Sequence, residues 1–228
     1  IDLSEDIKAT LGILEALGAV YTIKDQTVTM QGIGGQKVRV ERELDTKESG
    51  STLRFFIPVL LSGGGKCKLS GAKSLFARPL DIYENICKEQ GIYFQKGIDS
   101  LELDGQLRAA HYKIPGNISS QFITALLLIA PKLPKGLLIQ LNGKITSRPY
   151  LEMSLKLVNQ VGISTEFKGN TIPILPQTNL ENKIHRIESD WSSASYYYSF
   201  AAFSESVEIK LDTFFSDSLQ GDSEAVEI

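Results

Sequence analysis

Short turns rich in serine occur three times in the chain, and an apolar, helix-like segment follows each one. Free backbone N–H groups at a helix start, with serine hydroxyls beside them, are donors suited to anions. For any single turn, serine as an ordinary helix cap is the simpler explanation. Equivalent positions in a repeat would bring the turns together and favour an anion site. The turns are Glu48–Thr52, Gly116–Ser120 and Ser189–Ser193.

Two arginine–proline pairs begin at Arg78 and Arg148, 70 residues apart, and each precedes an amphipathic, helix-like segment. Proline is typical of the first helical position, which accounts for its recurrence but not for the arginine. A guanidinium at a helix start could bind a carboxylate or phosphate through two hydrogen bonds. Alternatively, each arginine pairs with a nearby acid of its own unit, Asp81 or Glu152. The spacing leaves both interpretations open.

These candidate residues lie on a repeat of about 70 residues, which predicts the architecture before any single motif does. In each unit an amphipathic helix ends at a glycine, and an alternating stretch typical of a hairpin follows. The helix-ending glycines are Gly18, Gly91 and Gly162, and the hairpin stretches are Tyr21–Ile33, Tyr93–Leu107 and Ser164–Leu175.

A further strand is expected before each serine-rich turn, and another after each apolar helix, which gives a β-α-β-α-β-β unit. The returning strands are predicted at Lys66–Leu69, Leu137–Leu141 and Val207–Leu211. Apolar helices such as Phe122–Ala130 and Tyr196–Phe203 belong in a domain interior with sheets around them. The sequence therefore predicts an α/β fold, an inside-out α/β barrel of repeated units.

The repeat is incomplete at both ends. The chain opens at the amphipathic helix of one unit, and its last segment, Leu219–Ile228, is typical of the start of another such helix. We therefore expect these residues to be an interior portion of a longer polypeptide.

Composition and charge disfavour several classes of protein. The 228 residues are 42% hydrophobic and 22% charged, which favours a folded core over disorder. The longest apolar run, Phe122–Ala130, is about half of what a membrane span needs, and no secretory segment is recognisable. A net charge of −3 without a basic tail disfavours nucleic acid as a partner. Cys67 and Cys87 lie far from each other and from histidine, which favours reduced cytoplasmic thiols and no metal site.

Four motifs that occur in order resemble the 5-enolpyruvylshikimate-3-phosphate synthase family, the 3-phosphoshikimate 1-carboxyvinyltransferases, over essentially the whole chain. The resemblance implies two domains, each built from three β-α-β-α-β-β units. It also implies transfer of the enolpyruvyl group of phosphoenolpyruvate to the 5-hydroxyl of shikimate 3-phosphate, with release of phosphate. The motifs are Ile118–Phe122, Ser147–Tyr150, Ser189–Tyr196 and Leu219–Asp222.

The resemblance also implies roles for individual residues. Gly50 would let the backbone approach the phosphate of phosphoenolpyruvate, since glycine has no Cβ, and Arg78 would grip that substrate. Preorganised donors and arginines lower the energy of a polyanionic intermediate. The implied binding residues are Ser119, Ser120, Gln121, Ser147 and Tyr150 for shikimate 3-phosphate, and Gly50, Ser51, Arg78 and Gln121 for phosphoenolpyruvate.

Two departures from the family pattern are expected to matter. Glu48 stands where asparagine is common in the family, and a carboxylate beside a phosphate site is repulsive unless it turns away or is paired. The family's acid/base residues have no counterpart among these 228 residues. We therefore predict no catalytic residue, metal or cofactor in this chain, and no turnover by the chain alone.

The domain boundary is predicted between residues 188 and 189, with a repeat-built domain over 1–188 and the start of a second domain over 189–228. Expected partners are the two small anionic substrates, not nucleic acid or a membrane, and the full-length protein is expected to be a cytoplasmic monomer. One alternative is a UDP-sugar enolpyruvyl transferase, which the Ser-Ser-Gln and Ser-Arg-Pro-Tyr motifs disfavour. The other is a non-enzymatic repeat module, clamp-like or RNA-binding, which would carry a basic face.

Overall fold

The computed structural model describes residues 3–33, 43–177 and 184–227. The helices are α1 (Glu5–Ala16), α2 (Gly50–Gly63), α3 (Lys73–Phe76), α4 (Asp81–Gln90), α5 (Ser120–Ile129), α6 (Arg148–Gln160) and α7 (Trp191–Ala202). The strands are β1 (Val20–Lys24), β2 (Thr27–Gln31), β3 (Leu44–Asp45), β4 (Lys66–Ser70), β5 (Tyr93–Lys96), β6 (Ser100–Asp104), β7 (His111–Pro115), β8 (Leu137–Asn142) and β9 (Thr171–Ile174).

The serine-rich turns start helices as the sequence predicts. The Ser49 side chain accepts a hydrogen bond from the Thr52 N–H at the start of α2, and Asp190 does the same for the first turn of α7. At the other end of the amphipathic helices, Gly18, Gly91 and Gly162 have positive φ angles of 99°, 68° and 92°. When the residue after a helix has a left-handed backbone, the N–H groups that follow can bond to the last carbonyls of the helix, and the helix ends there. The predicted helix ends at these three glycines are therefore confirmed.

Three sheets follow the predicted unit. β1 and β2 form an antiparallel hairpin, and the larger sheets have the strand orders β3-β4-β6-β5 and β7-β8-β9. In each larger sheet the first pair, β3 with β4 or β7 with β8, is parallel, and the remaining pairs are antiparallel. A parallel pair needs a crossover, and α2 and α5 supply it. The predicted hairpins at Tyr21–Ile33 and Tyr93–Leu107 are confirmed.

Helices α2 and α5 pack against each other and form the centre of the fold. Ile57 of α2 and Leu126 of α5 belong to the same buried cluster as Leu69 of β4 and Ile139 of β8. Each such side chain contributes about 1.5–3 kcal/mol when it leaves water. Apolar helices thus lie inside and sheets outside, as the predicted fold class requires, although no sheet closes into a barrel within the described ranges.

Helix α7 contradicts the expectation of an interior helix. Trp191 and Ala194 are its buried residues, whereas Tyr196 and Phe203 are 72% and 93% exposed. The strand predicted at Val207–Leu211 is absent as well. Both predictions, the interior helix and the strand, were wrong for the same physical reason. No sheet in the described part of the chain packs over α7 or offers an edge to Val207–Leu211.

Three further local predictions were wrong in part. In Ser164–Leu175 only β9 and one bridge form, because Asn159 takes both the N–H and the carbonyl of Thr165. Pro79 does not start α4, since the short α3 precedes it and α4 begins two residues later.

The end of the chain forms a 3₁₀ helix, Gly221–Glu227, instead of an amphipathic α-helix. There the side chain of Gln220 binds the N–H of Trp191, which ties this segment to α7.

Candidate functional site

The parallel pair β7–β8 places the starts of α5 and α6 side by side. Pro115 and Asn142, at the ends of the two strands, are register partners. Beyond them the Gly116 N–H donates to the Asn142 carbonyl at 2.7 Å, and the Thr146 N–H donates to the Gly116 carbonyl at 3.1 Å. A Cβ on Gly116 would lie 2.9 Å from the carbonyl oxygen of Lys144, so the close approach requires glycine. The turns that carry Ser119 and Ser147 are therefore in direct contact.

A hydroxyl pair holds α5 and α6 together within the first two turns of each helix. Thr124 Oγ1 and Ser154 Oγ lie 2.8 Å apart, and Ser154 Oγ also donates to the Tyr150 carbonyl. Ser120 and Tyr150 lie one turn earlier in their helices. The predicted residues Ser119, Ser120, Ser147 and Tyr150 thus lie on the same side of the domain.

Arg54 connects this region to α2, and the sequence analysis missed it. Its Nη1 donates to Gln121 Oε1 at 2.7 Å, and its guanidinium carbon lies 5.0 Å from the centre of the Phe122 ring. The hydroxyl of the buried Tyr83 donates to the Arg54 carbonyl and fixes the helix at this point. Gln121, a predicted residue, is therefore positioned by an arginine from the other repeat unit.

Arg54 and Arg78 bring two positive charges close to Gly50. A Cβ on Gly50 would lie 3.1 Å from Arg78 Nη1 and 3.2 Å from Arg54 Nη1, so both guanidinium groups face the same small space. Burial lowers the pKa of Arg54, and the charge of Arg78 lowers it further. Within the described ranges neither arginine pairs with a carboxylate, and the buried Nε of Arg54 has no hydrogen-bond partner.

The two arginine–proline pairs have different roles. Arg148 Nε lies 2.7 Å from Glu152 Oε1, and its guanidinium stacks over Phe167, so the structural interpretation holds for Arg148. Arg78 forms no ion pair with Asp81 and has an exposed side chain, while Lys96 Nζ donates to the Arg78 carbonyl. Of the two arginines that precede a proline, Arg78 is therefore the one without a carboxylate partner among the described residues.

Tyr150 lies close to Ser192 at the start of α7 and to Asp222 in the 3₁₀ helix Gly221–Glu227. Partial burial raises the pKa of its phenol, and a hydrogen bond to Asp222 raises it further, while Ser192 opposes this. Ser192 Oγ donates to Asp222 Oδ2 at 2.5 Å. The hydroxyl of Ser147, by contrast, makes no capping hydrogen bond at the start of α6.

Glu48, the departure from the family pattern, is exposed and lines a surface cavity with Lys47, Lys68 and Asp99. Arg54 and Arg78 do not line that cavity.

The described residues contain no group of three or more His, Cys, Asp or Glu that could hold a metal ion. Among the same residues, no helix combines the length and apolar character that crossing a membrane requires.

The family profile of EPSP synthase (3-phosphoshikimate 1-carboxyvinyltransferase) matches residues 2–228, nearly the whole chain. The chain belongs to the EPSP synthase family. Among curated relatives, the 3-phosphoshikimate 1-carboxyvinyltransferases of Brachyspira hyodysenteriae and Clostridium beijerinckii are 33% and 35% identical to it over 100% of this chain. The chain spans about half the length of these relatives, 53% and 54%.

Solved structures of family members support the fold. EPSP synthase from Acinetobacter baumannii superposes with a TM-score of 0.74 at 21% identity, over 94% of this chain and 49% of that one. A second structure of EPSP synthase from the same organism, at 2.37 Å, gives a TM-score of 0.70 over 86% of this chain. The α/β architecture described above is therefore that of part of an EPSP synthase.

Proposed function

We propose that this chain is the part of an EPSP synthase that binds phosphoenolpyruvate and shikimate 3-phosphate on adjacent helix starts. The full-length protein would transfer the enolpyruvyl group to the 5-hydroxyl of shikimate 3-phosphate. The observation that carries the proposal is the pair Arg54 and Arg78, which face the space beside Gly50 without a carboxylate among the described residues. Two like charges held this close favour an anion between them.

Phosphoenolpyruvate fits the Gly50 side of the site. Its phosphate would accept hydrogen bonds from the free N–H groups at the start of α2, where the helix dipole is positive. Arg78, exposed and planar, can bind the phosphate or the carboxylate through two parallel hydrogen bonds. Ser51 adds a hydroxyl next to Gly50.

Shikimate 3-phosphate fits the adjacent starts of α5 and α6. Ser119, Ser120 and Ser147 would supply hydroxyl donors for its phosphate, and Tyr150 would line the ring. Gln121, held by Arg54, lies between the two regions and would contact both substrates. The contact of the two turns through Gly116 supports this arrangement.

The chemistry consists of adding the 5-hydroxyl of shikimate 3-phosphate across the carbon–carbon double bond of phosphoenolpyruvate, so that the oxygen loses its proton and bonds to C2 while C3 gains a proton. Phosphate then leaves C2 with its oxygen, and C3 loses a proton, which restores the double bond. The residues of this chain bind and orient the substrates and stabilise the charge that the intermediate keeps. We assign no proton transfer to them. The chain alone should therefore not turn over, because a positioned acid/base group typically contributes 10²–10⁴-fold.

We infer that a second domain begins at residue 189. In support, the buried cluster that joins α2 and α5 contains no residue of α7. Trp191 packs instead on Phe214, with ring centres 4.5 Å apart, and Glu188 receives hydrogen bonds from the segment that follows α7. We further infer a cytoplasmic monomer of full length that works on two small anions without a nucleic-acid or membrane partner.

The proposal is tested by titrating the isotopically labelled 228-residue chain with each substrate and following backbone amides by NMR. Phosphoenolpyruvate should shift amides at the start of α2, and shikimate 3-phosphate those at the starts of α5 and α6. Phosphate release from the two substrates together should equal the no-enzyme control. Binding of a UDP-sugar or of RNA at these amides, without binding of the two substrates, would contradict the proposal.

A further inference from the structure

Four hydroxyl groups form a continuous chain that ends beside the Gly50 site. Thr10 Oγ1 of α1 lies 2.7 Å from Thr52 Oγ1, Thr52 Oγ1 donates to Ser49 Oγ at 2.7 Å, and Ser49 Oγ lies 3.3 Å from Ser51 Oγ. Thr52 and Ser49 are each 1% exposed, which is unusual for hydroxyls in an apolar core. Helix capping explains Ser49 but not the hydroxyls of Thr10 and Thr52.

The number of protons on the four hydroxyl groups determines which hydroxyl donates to which. A hydroxyl has one proton and two acceptor positions. Ser49 Oγ accepts from both the N–H and the hydroxyl of Thr52, at 3.2 and 2.7 Å, so its own proton is directed to Ser51. The Thr52 hydroxyl has two acceptors in reach, Ser49 Oγ at 2.7 Å and the Asp6 carbonyl at 3.5 Å, and the much shorter bond goes to Ser49. Since the Thr52 proton is used in that way, we take Thr10 as the donor to Thr52. The order of donation is Thr10 to Thr52 to Ser49 to Ser51.

Ser51 is the last of these four hydroxyl groups, and its proton is directed away from the other three. Its oxygen already accepts from Ser49, and no acceptor for its proton lies among residues 3–33, 43–177 and 184–227. Ser51 follows Gly50, the residue faced by the guanidinium groups of Arg54 and Arg78. Hydrogen bonds arranged in series polarise one another, so a hydroxyl at the end of such a chain is a stronger donor.

We infer that Thr52 and Thr10 are positioning residues that orient the Ser51 hydroxyl as a donor to the anion bound at Gly50. This inference rests on the proposed function, because it requires an anion at that place. Thr52 and Thr10 touch no substrate. They act through Ser49 and Ser51, and they couple helix α1 to the affinity of the site for phosphate.

The test measures the dissociation constant of the 228-residue chain for inorganic phosphate and for phosphoenolpyruvate, from amide shifts of Gly50 and Ser51. Thr52→Val has the same shape without the hydroxyl and should weaken phosphate binding about threefold or more, since an ordinary hydrogen bond is of that size. Thr52→Ser restores the hydroxyl and should return the affinity to within about twofold of the original, as for a neutral substitution. Thr10→Val should act in the same direction as Thr52→Val and more weakly.

A double-mutant cycle separates positioning from a merely structural effect. In a Ser51→Ala background, Thr52→Val should cause no further loss of phosphate affinity, because the hydroxyl that it orients is gone. Thermal melts of each variant establish that it is folded. An equal loss with and without Ser51, or unchanged affinity of folded Thr52→Val, would overturn the inference and leave the proposed function intact. Failure of the unaltered chain to bind either anion would overturn both.

Discussion

Arg54 and Gln121 are joined by a hydrogen bond of 2.7 Å although 67 residues separate them in sequence. The bond links the second turn of α2 to the first turn of α5, and these helices belong to different repeat units. It therefore sets the relative position of two helix starts, and with them the spacing of the two proposed substrate sites. A change at either residue should affect both affinity and stability.

Arg54→Lys keeps the charge but loses the bond to Gln121 and the stacking over Phe122. We expect the melting temperature to fall by about 2–4 °C, since a loss of about 1 kcal/mol has that effect in a chain of this size. Phosphoenolpyruvate binding should weaken about tenfold, as expected for a hydrogen bond to a charged group. Arg186→Lys is the matched control, because Arg186 also stacks on a ring, that of Phe215, outside the site.

The equivalent arginines of the repeat permit a direct comparison. Arg78→Lys would remove the proposed planar two-point contact with phosphoenolpyruvate, and we expect about tenfold weaker binding from a charged hydrogen bond of roughly 1.5–3 kcal/mol. Binding of shikimate 3-phosphate should hardly change. Arg148→Lys retains a cation opposite Glu152 and should leave both affinities unchanged. Equal effects of the two substitutions in binding titrations would remove Arg78 from the proposed site.

Glycine-to-alanine substitutions at two helical positions should change different properties, ligand affinity at Gly50 and stability at Gly12. Gly50→Ala puts a Cβ 3.1–3.2 Å from the tips of Arg54 and Arg78, which must then move, so phosphoenolpyruvate affinity should fall while the fold survives. Gly12→Ala, inside α1, meets nothing within 4 Å. It should raise stability by about 1 kcal/mol through helix propensity alone. Thermal melts and phosphoenolpyruvate titrations of both variants check this, and a stabilised Gly50→Ala with normal affinity would be inconsistent with a ligand at that position.

Glu188 should make stability depend on pH in the acid range. Partial burial alone would raise the pKa of its carboxyl, but hydrogen bonds from Phe215 N–H, Trp191, Ser218 and Gln220 together hold it below its ordinary value. A lowered pKa stabilises the fold above the ordinary value, and this stabilisation is lost as the pH falls through the lowered one. Glu188→Gln should therefore lower the melting temperature near pH 7, and the difference should vanish once the pH has fallen below the lowered pKa of Glu188. A difference that persists at acid pH would indicate that the carboxylate charge is unimportant.

The two cysteines should be unreactive in the folded protein. Burial raises the pKa of Cys87 to about 12 and, together with the charge of Asp104, that of Cys67 to about 11. The thiolate is the reactive form, and at pH 8 very little of it exists. A disulfide reagent should therefore titrate neither thiol within minutes, and both after unfolding in urea. Rapid native reaction of one thiol would reveal local opening around it.

Features determined by local chemistry could be predicted from the sequence. Ser49 caps α2 and Gly91 ends α4 because each residue type satisfies backbone groups of its own helix, whatever lies around it. The grouping of Ser119 with Ser147 comes from the family resemblance, which assigns both residues to one substrate, and not from the repeat. The proposed roles of these residues remain predictions.

Features determined by contacts between units could not be predicted in this way. Arg54 lies within an apolar helix, and its position in the site depends on Gln121 from the next unit. Tyr196 is exposed because no sheet of the described residues packs over α7, and the sequence of its own segment carries no signal for that. Thr165 is drawn out of a strand by Asn159, a side chain on a neighbouring helix.

The uncompensated charge beside Gly50 has a practical consequence for anyone who handles this protein. Two guanidinium groups that face one small space attract any small oxyanion in solution. A phosphate or sulfate buffer would partly fill the site, and it would raise the melting temperature as its concentration increases, with the logarithm of the concentration once the site is nearly full. Affinities for phosphoenolpyruvate measured in such a buffer would be underestimated, whereas chloride salts of an amine buffer would report the unoccupied site.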